Sequence, residues 1–282
     1  MLMLTEPLQR VVNGLEGAEG PIYDHTGRWF VVSSAGAVVQ VDPRTGAARE
    51  HCRTEGIPAG LQVDAENHLW LIDAELGVLR IDPDGEATAI CTSQYGMPLR
   101  GCNDGALDDR GNLYFTVPNG SDARSRHGRV CCRLVNGELI TVAEGFAFCN
   151  GLAVSADGGT LVVAETWTKQ LTAFDIVEPG VLRRRRRFAS LPGEHECGPD
   201  GIDFDAEGRL ISTNYGNAEL DVFDASGRLL ERIDLPFGQV SNLHLGGPDG
   251  RDLLVTEHES PGVWRGRWSA PGIRLAALSL TL

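Results

Sequence analysis

Short runs of alternating apolar and polar residues recur along the whole chain, each closed by a turn rich in Asp, Pro and Gly. Period-two alternation of this kind predicts half-buried antiparallel strands. One nine-residue phrase heads each unit. Its copies are Glu19-Gly-Pro-Ile-Tyr-Asp-His-Thr-Gly27, Ala59-Gly-Leu-Gln-Val-Asp-Ala-Glu-Asn67 and Asn103-Asp-Gly-Ala-Leu-Asp-Asp-Arg-Gly111. The others are Asn150-Gly-Leu-Ala-Val-Ser-Ala-Asp-Gly158, Asp200-Gly-Ile-Asp-Phe-Asp-Ala-Glu-Gly208 and Asn242-Leu-His-Leu-Gly-Gly-Pro-Asp-Gly250. A strand follows each phrase, then a short loop, a second alternating strand such as Ala37–Val41, and a turn such as Asp82-Pro-Asp-Gly85. No long amphipathic helix is predicted anywhere. Starts spaced by about 40 to 50 residues, with four strands per unit, predict an all-β, six-bladed β-propeller with antiparallel blades. One propeller domain then accounts for residues 1–282, with blades starting near 19, 59, 103, 150, 200 and 242. Leu8–Leu15 precedes the first phrase and is expected to close the ring as the outer strand of the last blade. The alternative is that Ile273–Leu282 completes that blade alone.

In a propeller the innermost strands line a central channel, so equivalent residues of the repeats form a ring. Here that ring is Glu19, Ala59, Asn103, Asn150, Asp200 and Asn242. Carboxylates and amides buried without partners cost several kcal/mol each. An oxygen-rich ring of mixed charge is the donor set of a hard divalent cation, Ca²⁺, Mg²⁺ or Mn²⁺, with Zn²⁺ or Fe²⁺ next. The competing reading is that each Asn or Asp merely caps its turn.

The blocks Glu19-Gly-Pro21, Asn103-Asp-Gly105, Asn150-Gly-Leu152 and Pro199-Asp-Gly201 resemble, in order and spacing, those of the SMP-30/gluconolactonase/luciferin-regenerating family. That resemblance covers roughly residues 10 to 268 and implies a six-bladed propeller holding one divalent cation. It implies Glu19, Asn150 and Asp200 as metal ligands, Asn103 as a contact to metal or substrate, and hydrolysis of sugar lactones as the activity. One position departs from the pattern. Animal sugar lactonases of this type carry an arginine two residues before the Asn-Asp-Gly block, where this chain has Gly101, with Arg100 one step earlier. A one-residue step turns a strand side chain to the other face, so Arg100 reaches the channel only through a bulge, which Gly101 permits.

Composition narrows the partners. Lys+Arg 25 against Asp+Glu 39 gives 25 − 39 = −14, a charge that repels phosphate backbones and argues against nucleic acid. Charges interrupt every apolar run before the roughly 20 residues a membrane span needs, and the N-terminus lacks a signal-peptide pattern. Seven cysteines, an odd number with Cys131 and Cys132 adjacent, suit free thiols in a reducing cytoplasm. Cys102 and Cys149 precede ring residues and are expected to face the blade interior as packing. Arg183–Arg187 reads as an outer strand whose arginines blunt an exposed edge. Serine-esterase, nucleotide-loop and dinucleotide motifs are absent from the sequence.

These readings converge on a metal-dependent hydrolase of small cyclic esters, acting on a lactone. Asp200 is the candidate general base and Glu19 the charge neutraliser. Asn103 orients substrate, with His195, Trp167, Tyr215 and Arg100 as further substrate contacts. A phosphotriesterase or aryl-lactonase on a similar calcium propeller is the first alternative. A non-catalytic propeller that binds a ligand or protein is the second.

Overall fold

The computed structural model describes residues 3–273. Six four-stranded antiparallel sheets follow one another around a ring, a six-bladed β-propeller. Blade 1 is Glu19–Tyr23, Trp29–Ser33, Ala37–Val41 and Ala48–Arg53, in order from the channel outward. Blade 2 runs from Pro58–Val63 to Ala87–Cys91, blade 3 from Gly105–Leu107 to Leu139–Phe146, blade 4 from Cys149–Val154 to Val181–Ser190, and blade 5 from Pro199–Phe204 to Leu229–Asp234. Blade 6 holds Val240–Gly246, Asp252–Glu257 and Gly262–Trp268, and takes its outer strand from the N-terminus. That strand is Leu4–Asn13, which starts earlier than the predicted Leu8 and pairs Leu4 with Trp268 and Asn13 with Gly262. The N-terminal closure therefore holds, while residues 274–282 of the alternative lie outside the described residues. One turn of 3-10 helix, Thr166–Thr168, and a small hairpin, Ser93–Gln94 with Met97–Pro98, interrupt the repetition.

Local chemistry explains the turns. The aspartate six places into most phrases accepts hydrogen bonds from backbone N–H groups two and four residues on. Asp24 does so from Thr26 and Arg28, Asp64 from Glu66 and His68, Asp108 from Arg110 and Asn112, and Asp205 from Glu207 and Arg209. Each such turn ends the inner strand and starts the second one in register. Alternate residues then bury against the neighbouring blade. The apolar core is accordingly divided into clusters that lie between blades: Phe30, Val32, Leu61 and Leu71 join blades 1 and 2, and Val31, Val39, Leu254 and Val263 join blades 6 and 1. Cys102 and Cys149 are buried in two of these clusters, as expected, and all seven thiols are free. On the blade 4 edge, Arg186 pairs with Asp175 at 2.7 Å, Arg184 pairs with the same carboxylate, and Arg185 lies 4.3 Å over the Phe146 ring. Among the described residues no helix is long and apolar enough to cross a membrane.

Candidate active site

Every inner strand except that of blade 3 shows a break in register at its start: between Glu19 and Ile22, Pro58 and Gly60, Cys149 and Leu152, Pro199 and Ile202, and Val240 and Leu243. A bulge bends the strand and re-aims side chains. Here it falls on the ring residues at one end of the channel. Close approach of the inner strands also explains the glycine after the ring position: a Cβ at Gly20 would lie 2.7 Å from the Leu61 nitrogen.

Three carboxylates face one another at this end. Asp200 is buried, and its pKa is held well above the ordinary value, first by burial and then by the charges of Glu19 and Asp104, with Asn150 opposing the shift as a hydrogen-bond partner. Asp104 is pushed up to about 7 by burial, with Glu19 and Asp203 adding to the effect. Asp104 Oδ1 accepts from the Gly105 N–H at 2.7 Å and Oδ2 from Asn242 Nδ2 at 3.3 Å. Glu19 meets His258 Nε2 at 3.3 Å across the blade 6–blade 1 seam. Burial works against protonation of His258, but the close approach and charge of Glu19 outweigh it and raise its pKa. No arginine or lysine among the described residues pairs with Glu19, Asp104 or Asp200.

The amides are sorted by their partners. Thr166 Oγ1 donates to the Pro199 carbonyl at 2.8 Å and accepts from Asn150 Nδ2 at 3.1 Å. The Asn150 nitrogen is thereby committed, which leaves Oδ1 as a donor atom for a cation. Asn242 is the opposite case: its Oδ1 accepts from the Leu243 N–H at 2.8 Å and its nitrogen holds Asp104, so it is a scaffold residue. Asn103 is half-buried, with its backbone N–H bonded to the Thr116 carbonyl at 3.0 Å. No group of three or more His, Cys, Asp or Glu side chains among the described residues is placed to hold a metal alone. Carboxylates supplemented by amide oxygen are the donor chemistry of a hard divalent cation, and uncompensated buried carboxylates are what such a cation would neutralise. The residues therefore fit the ion.

The other candidates divide. Tyr215 lies beside the ring: its hydroxyl is pushed up to about 12 by burial and then by Asp200, Cys197 and Glu19. Its ring packs between His195, at 6.4 Å, and His258, at 6.1 Å. Trp167 sits on the 3-10 turn, packed edge-on against Phe148 at 6.4 Å, next to the strand that carries Asn150. Arg100 is not brought to the ring. It is exposed and paired with Glu75, because Gly101, at φ 69°, turns the chain there without returning the arginine to the channel. Glu165 and Glu257 end second strands and serve loops: Glu165 accepts from the Ala147 N–H and from Arg126, and Glu257 from Ser260 and Arg10. Asp104 and His258 were absent from the sequence-based set. Below the ring the channel opens into a cavity of about 330 Å³ that reaches from Asp104 and Asn242 past Asp203 and His244 to the turn end of the inner strands.

The SMP-30/Gluconolactonase/LRE-like family model matches residues 17–259. The chain belongs to this family. Among curated relatives it is similar to diisopropyl-fluorophosphatase of Loligo vulgaris, 36% identical over 95% of this chain and 94% of the relative. It is also similar to pentonolactonase XacC of Haloferax volcanii, 29% identical over 84% of this chain and 80% of that protein. A solved gluconolactonase from Xanthomonas campestris superposes with a TM-score of 0.82 at 27% identity, covering 94% of this chain and 91% of that one. The blocks that define this SMP-30-like chain at sequence level are thus the strand starts that meet at one end of its channel.

Proposed function

We propose that this chain is a divalent-metal-dependent hydrolase of small cyclic esters, with a sugar lactone as the first substrate to consider. The observation that carries the reading is the group of Glu19, Asp104 and Asp200 beside an Asn150 whose amide nitrogen is engaged by Thr166. Lactonases among the relatives support it. Glu19, Asn150 and Asp200 would hold the cation, with Asn103 completing its shell or orienting substrate. When bound, the cation would polarise the scissile carbonyl and stabilise negative charge on its oxygen.

The chain's own residues supply the rest. Asp200, a carboxylate beside the attacking water, accepts its proton. Glu19, steadied by His258, neutralises charge without moving. Tyr215 and Trp167 offer apolar walls and His195 a polar one. With Arg100 tied to Glu75, sugar hydroxyls would have to be met by other groups.

A phosphotriester is the second reading, favoured by the 36% identity to diisopropyl-fluorophosphatase and by the aromatic side chains Tyr215 and Trp167 near the ring. Purified protein, assayed against hydroxylated lactones, simple lactones, aryl esters and a phosphotriester, separates the two. The lactone reading requires the highest kcat/KM on a lactone and loss of that activity with chelator. A phosphotriester turned over while every lactone is spared would replace it.

A further inference from the structure

The loop from Leu191 to Gly198 joins blade 4 to the inner strand that begins beside Asp200. Its residues Gly193 to Glu196 are exposed, so hydrogen bonds rather than burial must hold it. They come from the end of the second strand of blade 5. Asn214, fully buried, donates from Nδ2 to the Pro192 carbonyl at 2.9 Å and to Asp221 Oδ2 at 2.8 Å. Its Oδ1 accepts from Asn217 Nδ2 at 2.8 Å. Asn217 Oδ1 in turn accepts the His195 backbone N–H at 3.1 Å. The loop is thus pinned at Pro192 and at His195 to one buried polar chain. Lys169 Nζ adds a bond to the Gly193 carbonyl at 2.9 Å.

Two contacts then set the imidazole itself. The Cys197 N–H donates to His195 Nδ1 at 3.1 Å. A ring nitrogen that accepts carries no proton, so the neutral ring keeps its proton on Nε2. Gly216 lies directly beneath the ring, and a Cβ there would overlap Nδ1, Cγ and Cε1. Tyr215, whose ring centroid lies 6.4 Å from that of His195, feels the charges of Asp200 and Glu19 and so links this imidazole to the ring end of the channel.

Resting on the hydrolase reading for the substrate oxygen involved, we infer that His195 serves the site as a hydrogen-bond donor through Nε2, and that Asn217 and Gly216 are the residues that hold it in that tautomer and place. The partner is an acceptor oxygen of the substrate, such as a lactone ring oxygen, a hydroxyl or a phosphoryl oxygen. In this tautomer Nε2 has no lone pair for a proton, so His195 is a specificity residue and Asp200 remains the base.

The test has a spectroscopic and a kinetic arm. Long-range ¹⁵N–¹H spectra of histidine-labelled wild-type protein at pH 8 should show a protonated Nε2 and an unprotonated Nδ1 for His195. Asn217→Ala and Gly216→Ala should each convert that signal to a mixture of tautomers. On the preferred substrate, His195→Ala should raise KM about tenfold, the size of one hydrogen bond, with kcat little changed. His195→Gln, whose amide can stand in for the Nε2 donor, should recover most of the loss. Asn217→Ala should match His195→Ala, and the double variant should be no worse than either. An Nδ1-protonated wild-type ring, a tautomer signal untouched by both Asn217→Ala and Gly216→Ala, or an unchanged KM in His195→Ala would overturn the inference. If wild-type protein turns over no substrate of the panel, the hydrolase reading and the donor role fall together, and the clamp is judged by the tautomer signal alone.

Discussion

Replacing Asp104 by asparagine should stabilise the metal-free protein at alkaline pH and not at acid pH. Asp104 is pushed up to about 7 in the folded protein from an ordinary 3.8, chiefly because the group is buried. A carboxyl whose folded pKa is raised favours folding below the unfolded value and loses that advantage as pH climbs to the folded one. At about 1.36 kcal/mol per unit, the shift corresponds to about 4 kcal/mol lost between pH 4 and pH 8. An amide at this position has no proton to lose and escapes the penalty. It keeps the bond from the Gly105 N–H, but its own NH₂ group would meet the Asn242 Nδ2 that now donates to Oδ2. Two facing donors cost about 1 to 2 kcal/mol. The net expectation for Asp104→Asn is a protein about 1 to 2 kcal/mol less stable than wild type at pH 4 and about 2 to 3 kcal/mol more stable at pH 8. For a chain of this length that is roughly 5 °C in Tm at pH 8. Urea unfolding in chelator at several pH values gives both numbers. With a divalent cation added, the gain at pH 8 should vanish, because the cation stabilises the ionised group. A difference between variant and wild type that stays constant from pH 4 to pH 8 would refute the argument that Asp104 is a buried, charge-crowded acid.

Other substitutions probe other parts of the account. Asp200→Asn keeps an oxygen ligand but removes the base and one charge. It should lower kcat by at least about a hundredfold with Tm unchanged or raised, checked by steady-state kinetics and a melt. Arg100→Ala should alter neither KM for a hydroxylated lactone nor stability by more than about 0.5 kcal/mol, since its pair with Glu75 is a surface one; a KM effect confined to hydroxylated lactones would place Arg100 in the site after all. Deleting residues 1–13 removes the outer strand of blade 6 and its share of the cores around Leu4, Leu8, Val11 and Val12. With Val12 buried and the other three half-buried, about 1 kcal/mol for each side chain predicts a loss of at least about 3 kcal/mol, read in a melt.

The blades were legible because the repeat repeats its physics. Each Asp-containing turn satisfies two backbone N–H groups with one side chain, and each alternating strand buries one face against the next blade. Closure by the N-terminal strand followed from an apolar run with no turn of its own to belong to. The direction of the ring side chains was less legible. Period-two alternation assumes an unbroken strand, whereas the bulges at Glu19, Asn150 and Asp200 re-aim those residues. Asp104 was hidden for a related reason. It stands where most other phrases have glycine, and only the close approach of Asn242 from blade 6 shows what it faces. His258 reaches Glu19 across the seam where the two ends of the chain meet, a proximity that no local pattern encodes. Glu165 and Glu257 share the residue type of a ligand, yet they are consumed by loop N–H groups and arginines. Residue type alone does not separate a carboxylate with partners from one without.

Under the proposed function, Glu19, Asn150 and Asp200 hold one divalent cation on which hydrolysis depends. The most direct test is the rate of lactone hydrolysis by a single preparation before chelation, after it, and after addition of Ca²⁺, Mn²⁺, Mg²⁺ or Zn²⁺. Activity should disappear with chelator, return with at least one of these ions, and not return in Glu19→Gln. Lactone hydrolysis at the same rate in all three states would contradict this reading.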